Sequence, residues 1–172
     1  GICFTGSFDF GEFLRMQIPA REGVLVNSSG EEIGRHDGAA FATIGQRHGI
    51  QDKGQKEKGK RNGNTKPLYV AGKDVETNTL VVVPEDDALL YKKEISVRNI
   101  HWISGNEPQL PLQCQVRIRY RQQLQAAVIS EIQDTRYQIR FAAPQRAVAP
   151  GQSAVFYTAD GEMLGGGIID YV

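Results

Sequence analysis

The chain is poor in cysteine, lacks a net charge and contains no long apolar run, and each shortage removes a class of protein. Two cysteines in 172 residues, Cys3 and Cys114, cannot staple a disulfide scaffold. No signal peptide precedes them, which points to a reducing, cytoplasmic compartment. Twenty Lys+Arg balance twenty Asp+Glu, so the chain is no uniform polycation that coats nucleic acid by neutralising phosphates. No stretch approaches the ~18 apolar residues of a spanning helix, and no membrane partner is expected. Walker A, paired CxxC, HExxH and GxSxG patterns are missing, and His36, His48 and His101 lack ligand spacing. The sequence therefore predicts no metal. The chain opens Gly1-Ile2-Cys3 without a Met, as though cut from something longer.

What is present is alternation of charge. Residues 45–73 hold eight basic and two acidic side chains (net +6), and residues 98–146 hold seven and three (net +4). The blocks around them are acidic: net −3 over 1–44, −4 over 74–97 and −3 over 147–172. Neutrality is an average, and two blocks are basic enough to face an anion locally.

The periodicity predicts a mainly β chain. Phe10, Phe13, Leu14 and Ile18 fall on one helical stripe, with Ser7 as N-cap and Pro19 as stop. Val24–Val26 and Glu31–Ile33 flank a polar turn and read as a hairpin; Leu68–Val75 and Leu80–Val83 read as a second. Residues 51–66, without an aliphatic or aromatic side chain, read as a mobile loop. Further on, Leu112–Arg121 alternates, with Cys114, Val116, Ile118 and Tyr120 on the core face and Arg117, Arg119 and Arg121 on the wet face. Strands at Ile95–Ile103, Leu124–Ile132, Tyr137–Phe141, Ser153–Tyr157 and Leu164–Asp170 complete a set of six, which suggests a small closed antiparallel barrel. Two domains follow from this reading: 1–92, a small β-rich unit with one N-terminal helix, and 93–172, the barrel.

Several residues admit two readings. Cys3 is a reactive loop thiol before a helix N-terminus, or a small apolar side chain in a disordered terminus. Cys114, on the apolar face of a strand, reads as a buried structural thiol. The basic loop from Lys53 to Lys66 and the Arg117/Arg119/Arg121 face could meet phosphates, or be ordinary solvated surface. Gly165-Gly166-Gly167 reads as a bulge or tight strand crossing before a phosphate cradle.

Taken in order, Gly1-Ile2-Cys3-Phe4, Gly34-x-His36-x-Gly38, Thr43-Ile44-Gly45-Gln46-Arg47-x-Gly49, Tyr69-Val70-x-Gly72-Lys73-Asp74, His101-Trp102, Arg119-Tyr120-Arg121-Gln122, Pro150-Gly151-Gln152 and Leu164-Gly165-Gly166-Gly167 resemble the central and C-terminal parts of the bacterial tRNA-specific 2-thiouridylase family. The resemblance covers nearly the whole chain apart from 51–66. It implies an ATP-dependent sulfurtransferase that replaces the C2 oxygen of the tRNA wobble uridine with sulfur. ATP would be held by an N-terminal pyrophosphatase domain whose Ser-Gly-Gly-x-Asp-Ser loop this sequence does not contain, so the fragment alone is expected to be inactive. Cys3 matches the family's persulfide-bearing cysteine, which receives sulfur from a persulfide carrier fed by a cysteine desulfurase and is later resolved as a disulfide. Arg119, Tyr120 and Gln152 match residues that contact tRNA, and the barrel is implied to resemble the second domain of translation elongation factors. For Arg119 and Tyr120 both to reach RNA, the strand must end or bulge there. The competing reading is a non-catalytic RNA-binding barrel of translation-factor type; a structural domain without an RNA partner is a third.

Overall fold

A computed structural model describes residues 10–48, 67–133 and 136–170. Cys3, the proposed cap Ser7 and the basic loop 51–66 lie outside the described residues. The chain divides into two compact units, Gly1–Leu90 and Tyr91–Val172.

In the first unit, helix α1 (Phe10–Gln17) forms on the expected stripe, with Glu12 in its first turn and Arg15 in its last complementing the helix dipole. Phe13 and Ile18 keep 40% and 39% of their surface exposed, so the stripe is only partly covered. Both expected hairpins are present: β1 (Gly23–Val26) with β2 (Glu32–His36), and β4 (Leu68–Asp74) with β5 (Thr79–Pro84). With the short β3 (Arg47–His48) they form one sheet in the order β2-β1-β5-β4-β3. Alternation within strands could not reveal that β1 pairs with β5 in parallel, Leu25 opposite Leu80. This joins the two hairpins into one sheet, over a core of Leu25, Ala39, Val70, Leu80 and Val82.

Asn78 makes that junction possible. It lies just before β5 with φ 53°, a left-handed conformation that Asn tolerates better than other side chains. Its Oδ1 accepts from the Ala39 N–H at 2.9 Å, its Nδ2 donates to the Arg21 carbonyl at 2.9 Å, and its own carbonyl accepts from the Val24 N–H at 3.2 Å. Beside it, His36 is buried and accepts at Nδ1 from the Gly38 N–H at 2.9 Å. Burial holds its pKa below the ordinary value, keeping the ring neutral.

The second unit is the closed antiparallel barrel expected from the strand pattern, in the order β10-β11-β6-β9-β8-β7. Its strands are β6 (Tyr91–Trp102), β7 (Leu112–Arg117), β8 (Gln125–Gln133), β9 (Arg136–Arg146), β10 (Ser153–Tyr157) and β11 (Met163–Ile169). Inward positions of every strand fill the interior with Val97, Val116, Ile129, Ile139, Phe141, Ala154, Phe156 and Ile169, all at most 2% exposed. At roughly 1.5–3 kcal/mol for each large apolar side chain buried, this core supplies most of the unit's favourable free energy. Cys114 is buried there too, as expected, and burial pushes its thiol up to about 11.

The glycine triplet serves the strand crossing. A Cβ on Gly165 would sit 2.2 Å from the His101 carbonyl oxygen, one on Gly166 2.7 Å from that of Ala154, and one on Gly167 2.6 Å from Val97. The pairing of β11 with β6 also shifts register between Gly166 and Ile168. β11 therefore passes its neighbours at backbone contact, which only residues without side chains allow.

Two substitutions test these junctions. Asn78→Ala should lower the stability of the first unit by about 2–4 kcal/mol, because it strands two buried partners and loses a residue suited to positive φ. Gly165→Ala should cost the barrel more than about 3 kcal/mol, since backbone must move to admit the methyl. Urea unfolding followed by probes in each unit would measure both.

Candidate nucleic-acid interface

β7 ends at Arg117, and the alternation predicted to continue to Arg121 stops with it. Ile118 is still buried, but Arg119-Tyr120-Arg121-Gln122 forms a turn closed by the Gln122 N–H on the Arg119 carbonyl at 3.2 Å. Arg121 takes φ 64°. The Gln122 side chain imposes this ending: its Oε1 accepts from the Ile118 N–H at 3.0 Å, replacing the ladder partner that a continuing strand would have offered. Its Nε2 donates at 2.8 Å to Oε1 of Gln145, which is itself 4% exposed. Gln145 in turn donates to the Ala143 carbonyl at 2.8 Å and to Gln125 Oε1 at 3.3 Å. The turn is thus anchored to the start of β8 and the end of β9.

Tyr120 corrects the expectation of core packing: it is 74% exposed. The arginines are likewise no regular ladder on one strand. Arg117 is on β7, with its guanidinium 5.5 Å from the Tyr157 ring centroid, and Arg121 lies over the Tyr120 ring at 5.2 Å. Arg119 donates to the Ala147 carbonyl. Partial burial, and then repulsion from Arg146, holds its pKa below the ordinary arginine value. Two guanidinium groups crowded in this way gain from an anion that neutralises both.

Gln152 sits at the same end of the barrel. It closes the Ala149-Pro150-Gly151-Gln152 turn by donating its N–H to the Ala149 carbonyl at 3.3 Å. Pro150 at the second position and Gly151 at the third, with φ 81°, are what a type II turn requires. Its carbonyl accepts from the Ile169 N–H at 2.8 Å. The Gln152 side chain is exposed, with no hydrogen-bond partner among the described residues. β10 pairs antiparallel with β7, Val155 opposite Arg117, so the turn that follows β7 and the turn that precedes β10 lie at the same end of the barrel. The structure therefore brings together Arg119, Tyr120 and Gln152, which are far apart in sequence, on one rim.

Arg146 escaped the sequence reading because β9 was expected to end at Phe141. Instead β9 runs to Arg146 through Pro144, where its pairing with β6 shifts register between Lys92 and Glu94. The extra residues of that shift, 141–144 against Lys93 alone, lie on β9, so Pro144 sits within the bulge, where a strand tolerates a proline. Among the described residues no group of three or more His, Cys, Asp or Glu could hold a metal, and no helix is long and apolar enough to cross a membrane.

The two units correspond to two known domain types. Residues 11–84 match the tRNA methyl transferase PRC-barrel domain, and residues 92–169 match the aminomethyltransferase β-barrel domain. The chain is thus a PRC-barrel unit joined to an aminomethyltransferase-type barrel, a combination found in tRNA-modifying proteins. It is 42% identical over 173 residues to the tRNA-specific 2-thiouridylase MnmA of Geobacillus thermodenitrificans, a match covering 100% of this chain and 44% of the relative. To the same-named proteins of Vesicomyosocius okutanii and Coxiella burnetii it is 45% and 42% identical over 171 residues, covering 99% of this chain and 45% and 46% of theirs. Over its whole length the chain is similar to these tRNA-specific 2-thiouridylases, and it spans less than half the length of these relatives.

Cys114 should remain unmodified by a thiol reagent at pH 8 in the native chain and react once denaturant opens the barrel. Because its folded pKa of about 11 lies above the ordinary thiol value, its contribution to stability is complete below pH 9 and is lost as pH rises towards 11. A further variant, Gln145→Leu, should cost about 1–3 kcal/mol and free the Arg119–Gln122 turn, read as faster amide exchange at Ile118 and Gln122.

Proposed function

We propose that this chain is the tRNA-gripping and sulfur-carrying part of a tRNA 2-thiouridylase. The observation that supports this reading most is the rim itself. A turn that breaks β7 leaves Tyr120 exposed next to Arg119, and the pairing of β7 with β10 puts the turn that carries Gln152 at the same end of the barrel. Arg119 offers a charged, planar donor set suited to a phosphate, Tyr120 a ring on which an unstacked base can lie, and Gln152 an amide that both donates and accepts. The names of the curated relatives agree with a tRNA substrate.

In this reading the rim holds the anticodon loop while the wobble uridine leaves the stack, which a single-stranded loop permits at modest cost. Cys3 carries the sulfur as a persulfide. Its terminal sulfur forms the new bond to uridine C2 as the activated C2 oxygen departs. The thiol of a second cysteine, expected in the N-terminal pyrophosphatase domain and not the buried Cys114, then attacks the Cys3 sulfur, breaking the S–S bond, releasing thiolated tRNA and leaving a disulfide. When bound, ATP supplies the leaving group that makes C2 oxygen departure possible. The described residues do not fit ATP: the glycine triplet that might cradle phosphate is filled by the backbone of neighbouring strands. The sulfur arrives from a persulfide carrier, and the reaction belongs to a reducing cytoplasm.

The rim is tested by tRNA binding. Arg119→Ala should weaken affinity about tenfold, and Tyr120→Ala by a similar factor, as expected for one lost charge-assisted or stacking contact of ~1–3 kcal/mol. Cys3→Ser should leave binding intact while abolishing thiolation by the protein that contains this chain. Unchanged affinity in both rim variants would refute the rim, and persistent thiolation would remove Cys3 from the reaction.

A further inference from the structure

Below the rim, the outer face of β7, β8 and β9 forms an open groove of about 540 Å³. Its floor follows from strand register. Gln113 lies opposite Val128, which lies opposite Arg140; in the adjacent row Gln115 lies opposite Ala126. The last β8–β9 pair is Ala127 with Phe141, and their chain neighbours Ala126 and Ala142 both line the groove. Ala126, Val128 and Ala142 are too short to fill the space above the sheet, and Ala126 and Ala142 are exposed. Lys93 closes the far side at the β6 bulge, with no ion-pair partner among the described residues, whereas Arg140 is tied to Glu94 at 2.7 Å. On the near side Gln115 pairs with Tyr157, whose ring carries the Arg117 guanidinium.

We propose that this groove binds a single-stranded RNA segment continuing from the Arg119/Tyr120 rim. The row from Tyr157 through Gln115 and Ala126 to Ala142 crosses four strands, about 14 Å at the usual strand spacing. It presents an aromatic ring at one end, a flat apolar floor with two amides beside it, and a cation at each end. These are the components of a single-strand site: a stacking platform, surface for a base face, and positive charge along the backbone path. Gln113 and Gln115 can pair with base edges in either sense, and Lys93 and Arg117 can each take a phosphate. Continuity favours RNA over a protein partner, because Arg117 precedes Arg119 on the same chain segment by two residues. The inference rests on the tRNA reading and extends its contact surface from the rim to the barrel wall.

The test is binding of the full chain to a fluorescent, unmodified anticodon stem-loop RNA with uridine at the wobble position, at two salt concentrations. Ala142→Glu should weaken binding about tenfold, while Ala142→Lys should tighten it severalfold and steepen its salt dependence. Opposite effects at one position cannot come from misfolding. Lys93→Ala, at an exposed site, should weaken binding two- to threefold and reduce the salt slope by about one. If Arg119→Ala weakens binding but all three groove variants bind as the unaltered chain does, the groove inference is overturned and the rim stands. A change in association with a sulfur-donor protein alone overturns it in favour of protein docking. Absence of RNA binding by the unaltered chain overturns the tRNA reading itself, and the groove with it.

Discussion

Closure of the six-stranded barrel is the constraint on which the second unit depends. An antiparallel sheet of this size closes only if its first and last strands meet, and here β7 meets β10, with Phe156 opposite Val116. β11 must then run between β10 and β6 at backbone contact, which is why Gly165, Gly166 and Gly167 can carry no side chain. The same closure decides where the candidate site lies. The end of β7 and the start of β10 are neighbours, so a turn following one and a turn preceding the other share a rim. Arg119 and Tyr120 belong to the first and Gln152 to the second.

Charge is arranged with the same logic. The barrel carries nearly all the basic residues of the 98–146 block, and those at the rim, Arg117, Arg119 and Arg121, have no carboxylate ion pair among the described residues. Elsewhere on the barrel three arginines are matched: Arg98 and Arg136 with Asp170, and Arg140 with Glu94. Pairing leaves the neutral chain with a local excess of positive charge at one end, where it can act at short range on an anion without making the whole protein cationic.

Much of the fold was legible because side-chain alternation reports burial directly. Ser153–Tyr157 was read to the residue, and both hairpins were read to within a few positions, since their turns carry Asn, Gly and Thr between apolar runs. Misreadings arose where a long-range contact overruled the local pattern. Leu112–Arg121 alternates to its end, yet the strand stops at Arg117 because Gln122 reaches back to Ile118 and forward to buried Gln145. β9 continues past Phe141 because Pro144 falls inside a bulge in its pairing with β6, where no ladder donor is required. Of the candidate site, residue types were legible and orientation was not: Tyr120 was placed inward by period, and Arg146 was not singled out.

The sequence by itself determined the strand pattern, the glycine crossing, the buried Cys114 and the family the chain resembles. These rest on local periodicity or on residue order, and both are written along the chain. Tertiary structure decided the parallel pairing of β1 with β5, the outward turn of Tyr120 and the convergence of Arg119, Tyr120 and Gln152. Each depends on hydrogen bonds between segments distant in sequence, such as Gln122 with Gln145 or Asn78 with Arg21 and Ala39. Such bonds form only once the sheets have brought their partners within reach.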